Sequence, residues 1–308
     1  MAGGVPTSTG THPKLLWPGV HAVWGQIYSE HMKEYTELFD VRDSEMAYET
    51  LVQVTGFPNA VIKAEGQAGT YAGEVQGVIT NIVHIPYSLG YIVTHEELKD
   101  NLYEKVSKDR ARANAFSINQ TIEVIGAFPY NNAFSNTYFS AGDGVAMCSA
   151  SHVNATGGTF SNLLSPGADL SEAALEDISI QIMNAQNDTG QQINIMPRSL
   201  HIAPAEWYNA NRILKSVLQS DSSSNNINVL KATNAFPEGI KMNHYFTTNV
   251  HAWFVRTNCP EGMIFFWREQ PDFQQDNDFD TKNAKALTYF RCSYGMGDPR
   301  GVYGSNGP

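Results

Sequence analysis

Cys148 and His152 stand at C-x3-H spacing, which could offer a thiolate and an imidazole to zinc. A structural zinc site needs a second such pair, and the sequence has none at zinc-site spacing, so ordinary loop residues are expected here. Cys259 and Cys292 lie far apart in the chain, and nothing in the sequence joins them. Ser149 and Ser151 lack the G-x-S-x-G elbow that would expose a nucleophile, and no glycine-rich phosphate loop occurs. The stretch Asp276-Asn277-Asp278-Phe279-Asp280 resembles the start of a calcium loop, but Thr281 and Leu287 occupy its sixth and twelfth positions, where glycine and glutamate are required. A solvated turn is expected. His31 and Glu34, three apart on a helix face, predict a surface ion pair with no third group to make it catalytic. No catalytic, cofactor-binding or metal-ligating residue is therefore predicted, and the chain reads as a structural protein rather than an enzyme.

The elements are more informative than these isolated residues. Residues 1–18 are rich in Gly, Pro and Thr and predict a flexible lead-in. Val20, Val23, Trp24, Ile27, Tyr28, Tyr35 and Leu38 then form a helical stripe with no obvious local partner. It packs either on its own domain or on something outside it. Between residues 57 and 93, glycines 66, 69, 73 and 77 precede the β-branched run Val78–Ile85, predicting a long two-stranded hairpin. Such a ribbon is marginal alone in water and needs a support.

Thr94-His95-Glu96-Glu97 is a capping box. The stripe Leu98, Leu102, Val106, Ala113, Phe116, Gln120, Val124 follows, predicting one helix over 94–127 that stops before Phe128-Pro129. At 1.5 Å per residue it would span about 50 Å, far beyond the usual three turns. A second helix is expected from a Ser171 cap to about Gly190, a strand over Ile193–Ile202, and a helix beginning at Pro204. Strands follow at Gly239–Phe246, Ala252–Thr257, Met263–Trp267 and Leu287–Tyr294, with a polar loop at residues 220–226. Helices and strands in separate runs give an α+β class.

Composition narrows the function. The 308 residues are 42% hydrophobic and only 17% charged, a surface poor in charge and suited to burial against other copies. Twenty basic against 31 acidic side chains give a net charge of −11, which disfavours a dedicated nucleic-acid binder. No apolar run is long enough to span a bilayer, no secretory signal is visible, and the odd, scattered cysteines suit free thiols in a reducing cytosol.

The order of parts, together with a series of short stretches, resembles the tailed-phage major capsid protein family with the Hong Kong 97-like fold, and in particular its Mu-type major head subunit branch. The stretches are Tyr87-Ser88-Leu89-Gly90-Tyr91, Asn131-Asn132-Ala133-Phe134, Asp143-Gly144, Ser151-His152 and Leu170-Ser171-Glu172-Ala173-Ala174-Leu175-Glu176. Ile227-Asn228-Val229-Leu230, Ala252-Trp253-Phe254 and Asp298-Pro299-Arg300-Gly301-Val302-Tyr303-Gly304 complete the series.

The resemblance implies an N-terminal arm over residues 1–50 and an E-loop over 51–93. A P-domain with its spine helix would occupy 94–165, an A-domain 166–262, and returning P-domain strands with the tail 263–308. It implies a major head protein assembling as hexamers and pentamers into an icosahedral shell. An encapsulin-type shell enclosing cargo protein on the same fold is the alternative, and an enzyme with an unrecognised site a third reading. The arm helix and the hairpin would bury their apolar faces on adjacent subunits, making Val23, Trp24, Ile27, Lys63, Tyr71 and Val75 the expected inter-subunit contacts. Polar substitutions at Val23, Trp24 and Ile27 would then block assembly and leave folded subunits. Subunits of the family's type member are joined by a lysine and an asparagine. Lys63 lies in the E-loop, but the sequence pairs it with no asparagine. The partners implied are many copies of the chain and packaged double-stranded DNA held without sequence-specific contacts. Portal, scaffold or decoration proteins are further candidates, and no membrane is involved. The expected location is the virion capsid, after assembly in the host cytoplasm.

Overall fold

The computed structural model describes residues 17–99, 103–219, 226–278, 280–281 and 283–307. The lead-in up to residue 16 and most of the predicted loop at 220–226 lie outside them, as do the side chains of Leu98, Leu102 and Val106. Chain order is α1 (Trp17–Glu30), α2 (Tyr35–Leu38), β1 (Asp40–Asp43), β2 (Tyr48–Val54), β3 (Gln76–Val83) and β4 (Ile85–Val93). Next come α3 (His95–Lys99), α4 (Tyr103–Asn131), β5 (His152–Val153), β6 (Thr159–Phe160), α5 (Glu172–Met183), β7 (Pro197–Ile202), α6 (Trp207–Lys215) and α7 (Val229–Ala232). The chain ends with β8 (Ile240–Met242), β9 (Trp253–Thr257), β10 (Met263–Asn277), β11 (Ala284–Met296) and β12 (Val302–Ser305).

Two four-stranded sheets organise these elements, in the orders β1-β10-β11-β4 and β12-β9-β7-β8. The 15-residue β10 and 13-residue β11 form the longest pair and run well past the expected ends of those strands. Their side chains alternate between two destinations. Phe265, Trp267, Phe290 and Cys292 meet Ile118 and Ile122 of α4 together with Tyr35, Leu38 and Phe39 of the arm, forming the main core. Ile264 and Phe266 point the other way, toward Ile82 and Leu51 of β3 and β2. A second core lies between α5, α6 and the other sheet, around Leu175, Ile178, Ile182, Leu200, Ile202 and Trp253. In β9, Phe254 serves the first core while Trp253 and Val255 serve the second, so its five residues are all buried. The strand reads as a continuous apolar run because both of its faces are covered.

Several expectations change in three dimensions. The hairpin predicted over 57–93 is built from β2 and β3, antiparallel from Tyr48↔Val83 to Val54↔Gln76, with the glycine-rich stretch as the loop between them. β4 instead joins the long sheet beside β11. Only half of the capping box forms. Thr94 Oγ1 accepts the Glu97 N–H at 3.4 Å, while the Glu97 carboxylate turns to Arg110 at 3.0 Å. The long helix continues through Pro129 to Asn131, because its last turn is held by tertiary packing. Tyr130 is buried against Phe246 and Phe254, and its hydroxyl donates to the Leu38 carbonyl at 2.9 Å. The Asn132 N–H reaches the Phe128 carbonyl, so the missing proline donor costs one bond near the helix end, where it is tolerated. The Ser171 cap is present, accepting the Ala174 N–H at 3.2 Å, but α5 stops at Met183.

The arm is joined to α4 by one buried carboxylate. Glu123 is 1% exposed and accepts the backbone N–H groups of Glu34 at 3.0 Å and Tyr35 at 2.8 Å, at the entrance to α2. Desolvation raises its pKa from 4.5 to about 7, against the lowering pull of those two N–H groups. Between those values the folded state holds a proton that the unfolded chain has released, so this contribution is full below pH 4.5 and is lost as pH rises through 7. In denaturant titrations, the stability of the wild type minus that of Glu123→Gln is expected to fall by about 3 kcal/mol between about pH 4.5 and pH 8. A pH-independent difference would show that Glu123 does not titrate differently on folding.

Candidate assembly surface

The hairpin and its loop carry a run of exposed apolar side chains, among them Tyr48, Val52, Ile62, Tyr71 and Val83. Leu51 on β2 and Ile82 on β3 face inward onto Ile264 and Phe266. This close seat requires Gly295, where a Cβ would stand 2.2 Å from Ile82 Cδ1. The opposite face places Tyr48 beside Val83 and Val52 beside Ile79, all four exposed, with a Thr50–Asn81 hydrogen bond of 2.9 Å between the two pairs. The ribbon is thus apolar on both sides, and its own chain covers only one.

Thr55 closes the base of the loop: its N–H donates to the Val75 carbonyl at 3.0 Å, and its Oγ1 accepts the Val75 N–H at 2.9 Å. From there the chain circles a concavity of about 730 Å³ lined by Phe57, Pro58, Val61, Ile62, Lys63 and Tyr71, among others. Ile62 and Tyr71 are essentially fully exposed, at 101% and 96%. One tether holds the loop to its own chain: the Gln191 side-chain amide accepts the Asn59 N–H and donates to the Phe57 carbonyl. Of the expected contacts, Lys63, Tyr71 and Val75 are all exposed on this loop. Phe57, Val61, Ile62 and the Tyr48/Val52/Ile79/Val83 face are exposed as well and lie outside the expected contacts. Alternation in Tyr48–Val54, with apolar residues at both parities, was the available signal.

The arm helix is different. Trp24 is 4% exposed, stacked between Tyr28 and Phe273 at ring distances of 5.1 and 5.4 Å, and its Nε1 donates to Asn114 Oδ1 at 3.0 Å. Val20 and Trp24 close over Ala111 and Ala115 of α4, small residues that let the helices approach. Trp24, which the resemblance placed among the inter-subunit contacts, is therefore closed by its own chain, and the reading in which the helix packs on its own domain holds for it. Its partner lies some 90 residues on, a separation that periodicity does not reveal. Val23 and Ile27 flank this contact and are half-buried.

The residues that could do chemistry are placed for other work. Glu34 does not pair with His31. It bonds both Nδ1 and the backbone N–H of His244, and His31 packs edge-on against Phe116. His152 is buried with Nδ1 2.7 Å from Asp143, and Cys148 sits in the main core. All three cysteines are free thiols, and burial pushes each up, Cys292 to about 12, so they are weak nucleophiles at neutral pH. Among the described residues, no group of three or more His, Cys, Asp or Glu is placed to hold a metal, and no helix is long and apolar enough to cross a membrane. In the acidic stretch, Asp278 pairs with Lys285 at 2.6 Å; Phe279 lies outside the described residues.

Sequence reasoning assigned no role to Arg300, which enters there only as part of the 298–304 stretch. It is 2% exposed, lies 4.0 Å above the Phe160 ring, and donates to Asp188, Asp298, Asn154 and the Gln186 carbonyl. Beside it is a cleft of about 620 Å³ lined mainly by Asn, Gln, Ser and Thr side chains. With its donors engaged, the guanidinium holds together the loops before β6 and after α5.

A family model described as phage capsid protein matches residues 87–305. No curated protein matches the sequence. Among solved structures, the chain is similar to a virus-like particle from Pyrococcus furiosus, at 11% identity and TM-score 0.53, covering 94% of this chain and 98% of that one. It is similar to the capsid of Myoviridae phage XM1, at 11% identity and TM-score 0.53, covering 91% and 94%. It is also similar to the capsid of an empty GTA particle, at 8% identity and TM-score 0.57, covering 88% of each chain. At these identities the likeness is one of fold.

The two apolar regions separate in a stability measurement. Trp24→Ala is expected to lower protomer stability by about 3–5 kcal/mol, the usual cost of emptying a core aromatic site. Ile62→Asp and Tyr71→Asp are expected to leave it within about 0.5 kcal/mol. Chemical denaturation of the three variants checks both, and equal effects would contradict the division.

Proposed function

Because the chain belongs to the phage capsid protein family and has the Hong Kong 97-like α+β fold, we propose that it is the major head protein of a tailed double-stranded-DNA bacteriophage. In this reading it assembles as hexamers and pentamers into an icosahedral shell around the genome. The observation that carries the reading is the hairpin: apolar on both faces, covered by its own chain on one, and ending in an open loop whose largest side chains stand in water. Isolated exposed apolar residues are ordinary, but a contiguous set on a projecting ribbon marks an interaction surface. A second copy of the chain is the natural cover, since a shell built from one sequence supplies that partner at every site. Obligate interfaces bury upward of about 2,000 Å², an area that an arm, a ribbon and a loop can reach only by spreading over neighbours.

Residues 1–50 then serve as the arm and the hairpin of β2 and β3 as the E-loop, with Lys63, Tyr71 and Val75 among its contacts. α4 is the spine of the P-domain, and the core around α5, α6 and β7 forms the A-domain. The chain's net charge of −11 suits a wall that does not grip phosphates, so the genome can enter and leave. Assembly in the host cytoplasm and contacts with portal, scaffold or decoration proteins belong to the same reading. The encapsulin-type alternative is supported by fold alone, whereas the family match favours a phage.

Cryo-electron microscopy of the purified full-length protein is expected to show closed shells or hexameric and pentameric capsomers. The double variant Ile62→Asp/Tyr71→Asp is expected to yield folded protomers that do not assemble. A wild-type protein that stays a discrete monomer at high concentration would refute the assignment.

A further inference from the structure

The hairpin leaves the long sheet through two roots, and both end at one imidazole. Ser44 lies just ahead of β2, and His84 is the single residue between β3 and β4; both are buried. His84 Nε2 is 2.9 Å from Ser44 Oγ, and its Nδ1 is 2.8 Å from Ser293 Oγ on β11. Ser44 Oγ stands 2.6 Å from the Glu49 carboxylate on β2, and a carboxylate only accepts, so the Ser44 hydroxyl donates there. Ser44 must then accept from His84. Its other lone pair takes the Met46 N–H at 3.3 Å. Nε2 therefore carries the hydrogen, and Nδ1 accepts from the Ser293 hydroxyl. The Ser44 backbone is pinned as well, its N–H donating to the Trp267 carbonyl at 2.8 Å and its carbonyl accepting from Arg268.

We propose that His84 is a latch: with one proton it ties both roots of the hairpin to β11, and with two it releases them, freeing the hairpin from the sheet. A second proton on Nδ1 turns the group that accepts from Ser293 into a donor and leaves the Ser293 hydroxyl without its acceptor. It also places a cation in a buried site. Glu49 on β2 faces the ring and favours that cation, but Arg268 on β10 and Arg291 on β11 face it and oppose it, and the edge of Phe266 supplies no acceptor. Burial, with the two arginines adding, holds the imidazole below its ordinary 6.5 despite Glu49. Opening the roots to water relieves the charge, so acid favours the open hairpin. Few other contacts resist: the small Leu51, Ile82, Ile264 and Phe266 cluster lies beneath the hairpin, Gly142 packs against Thr80 and Val78, and Thr80 Oγ1 donates to the Met296 carbonyl at 3.4 Å. The latch does not depend on what the hairpin binds, so it can fail while the assembly reading stands.

Hydrogen-exchange mass spectrometry on the full-length chain tests it, at neutral pH and at steps below about pH 6, with intrinsic exchange rates corrected. Peptides covering residues 44–54 and 76–84 are expected to lose protection by up to about tenfold per pH unit once the imidazole titrates, while α5 and β7 keep theirs. His84→Gln, which cannot gain the proton, is expected to show no acid response in these peptides. Ser293→Ala retains the imidazole but removes its anchor, and is expected to loosen the same peptides already at neutral pH. This second variant decides the matter should His84→Gln fail to fold. An acid response unchanged in His84→Gln, loosening spread evenly along the chain, unchanged protection in Ser293→Ala, or no response in the wild type would each overturn the latch.

Discussion

The contact between α4 and the β10–β11 pair is the surface on which the protomer is laid out. Ile118 and Ile122 on the helix meet Phe265, Trp267 and Phe290 on the strands, and the arm residues Tyr35, Leu38 and Phe39 close the same core. A 29-residue helix beside strands of 15 and 13 residues forms a long, stiff plank rather than a ball. A plank has little interior for its length, so its ends and edges must be finished by other elements. α1 covers one stretch through Trp24, and β9 links the plank to the second core by contributing to both.

On the far face of the plank the same strands carry Ile264 and Phe266, which seat only the root of the hairpin. Beyond that root the ribbon's outer face stays uncovered by its own chain, and the Gln191 side chain tethers its loop. Its outer face and loop retain an apolar character that water penalises and that another copy can satisfy. A subunit whose own folding left no such surface would have no drive to associate. The division of labour is visible in the side chains: Trp24 is buried in the protomer, whereas Ile62 and Tyr71 stand in water.

Buried polar groups set the angles between these parts. Glu123 fixes the arm to α4, Arg300 ties the loops beside the second core, and His84 joins both hairpin roots to β11. Each replaces bonds to water with directed bonds inside the protein, and each loses most when one partner is removed or changes protonation. Apolar packing tolerates small slides. These polar groups do not, and so they define where each projecting element points.

Local pattern was enough for the α+β class, the existence of a long helix and the Ser171 cap, because periodicity and capping chemistry act over a few residues. Ala113, Phe116, Gln120 and Val124 of the expected stripe nevertheless face outward, and the strand expected over 239–246 shrinks to Ile240–Met242. Local pattern also marked the two-stranded ribbon as marginal alone and in need of a support. It could not place Trp24 in its own core, carry α4 through Pro129, pair β2 with β3 across the glycine-rich stretch, or bring Glu34 to His244. Each of those outcomes depends on residues distant in the chain, and sequence spacing carries no record of which distant surface will be near. What the sequence settles by itself is where local periodicity and capping favour a helix or strand, and where the chain turns. Whether an apolar face is closed by the chain's own helix or left open for another copy is decided only once the tertiary structure has used up the surfaces available to cover it.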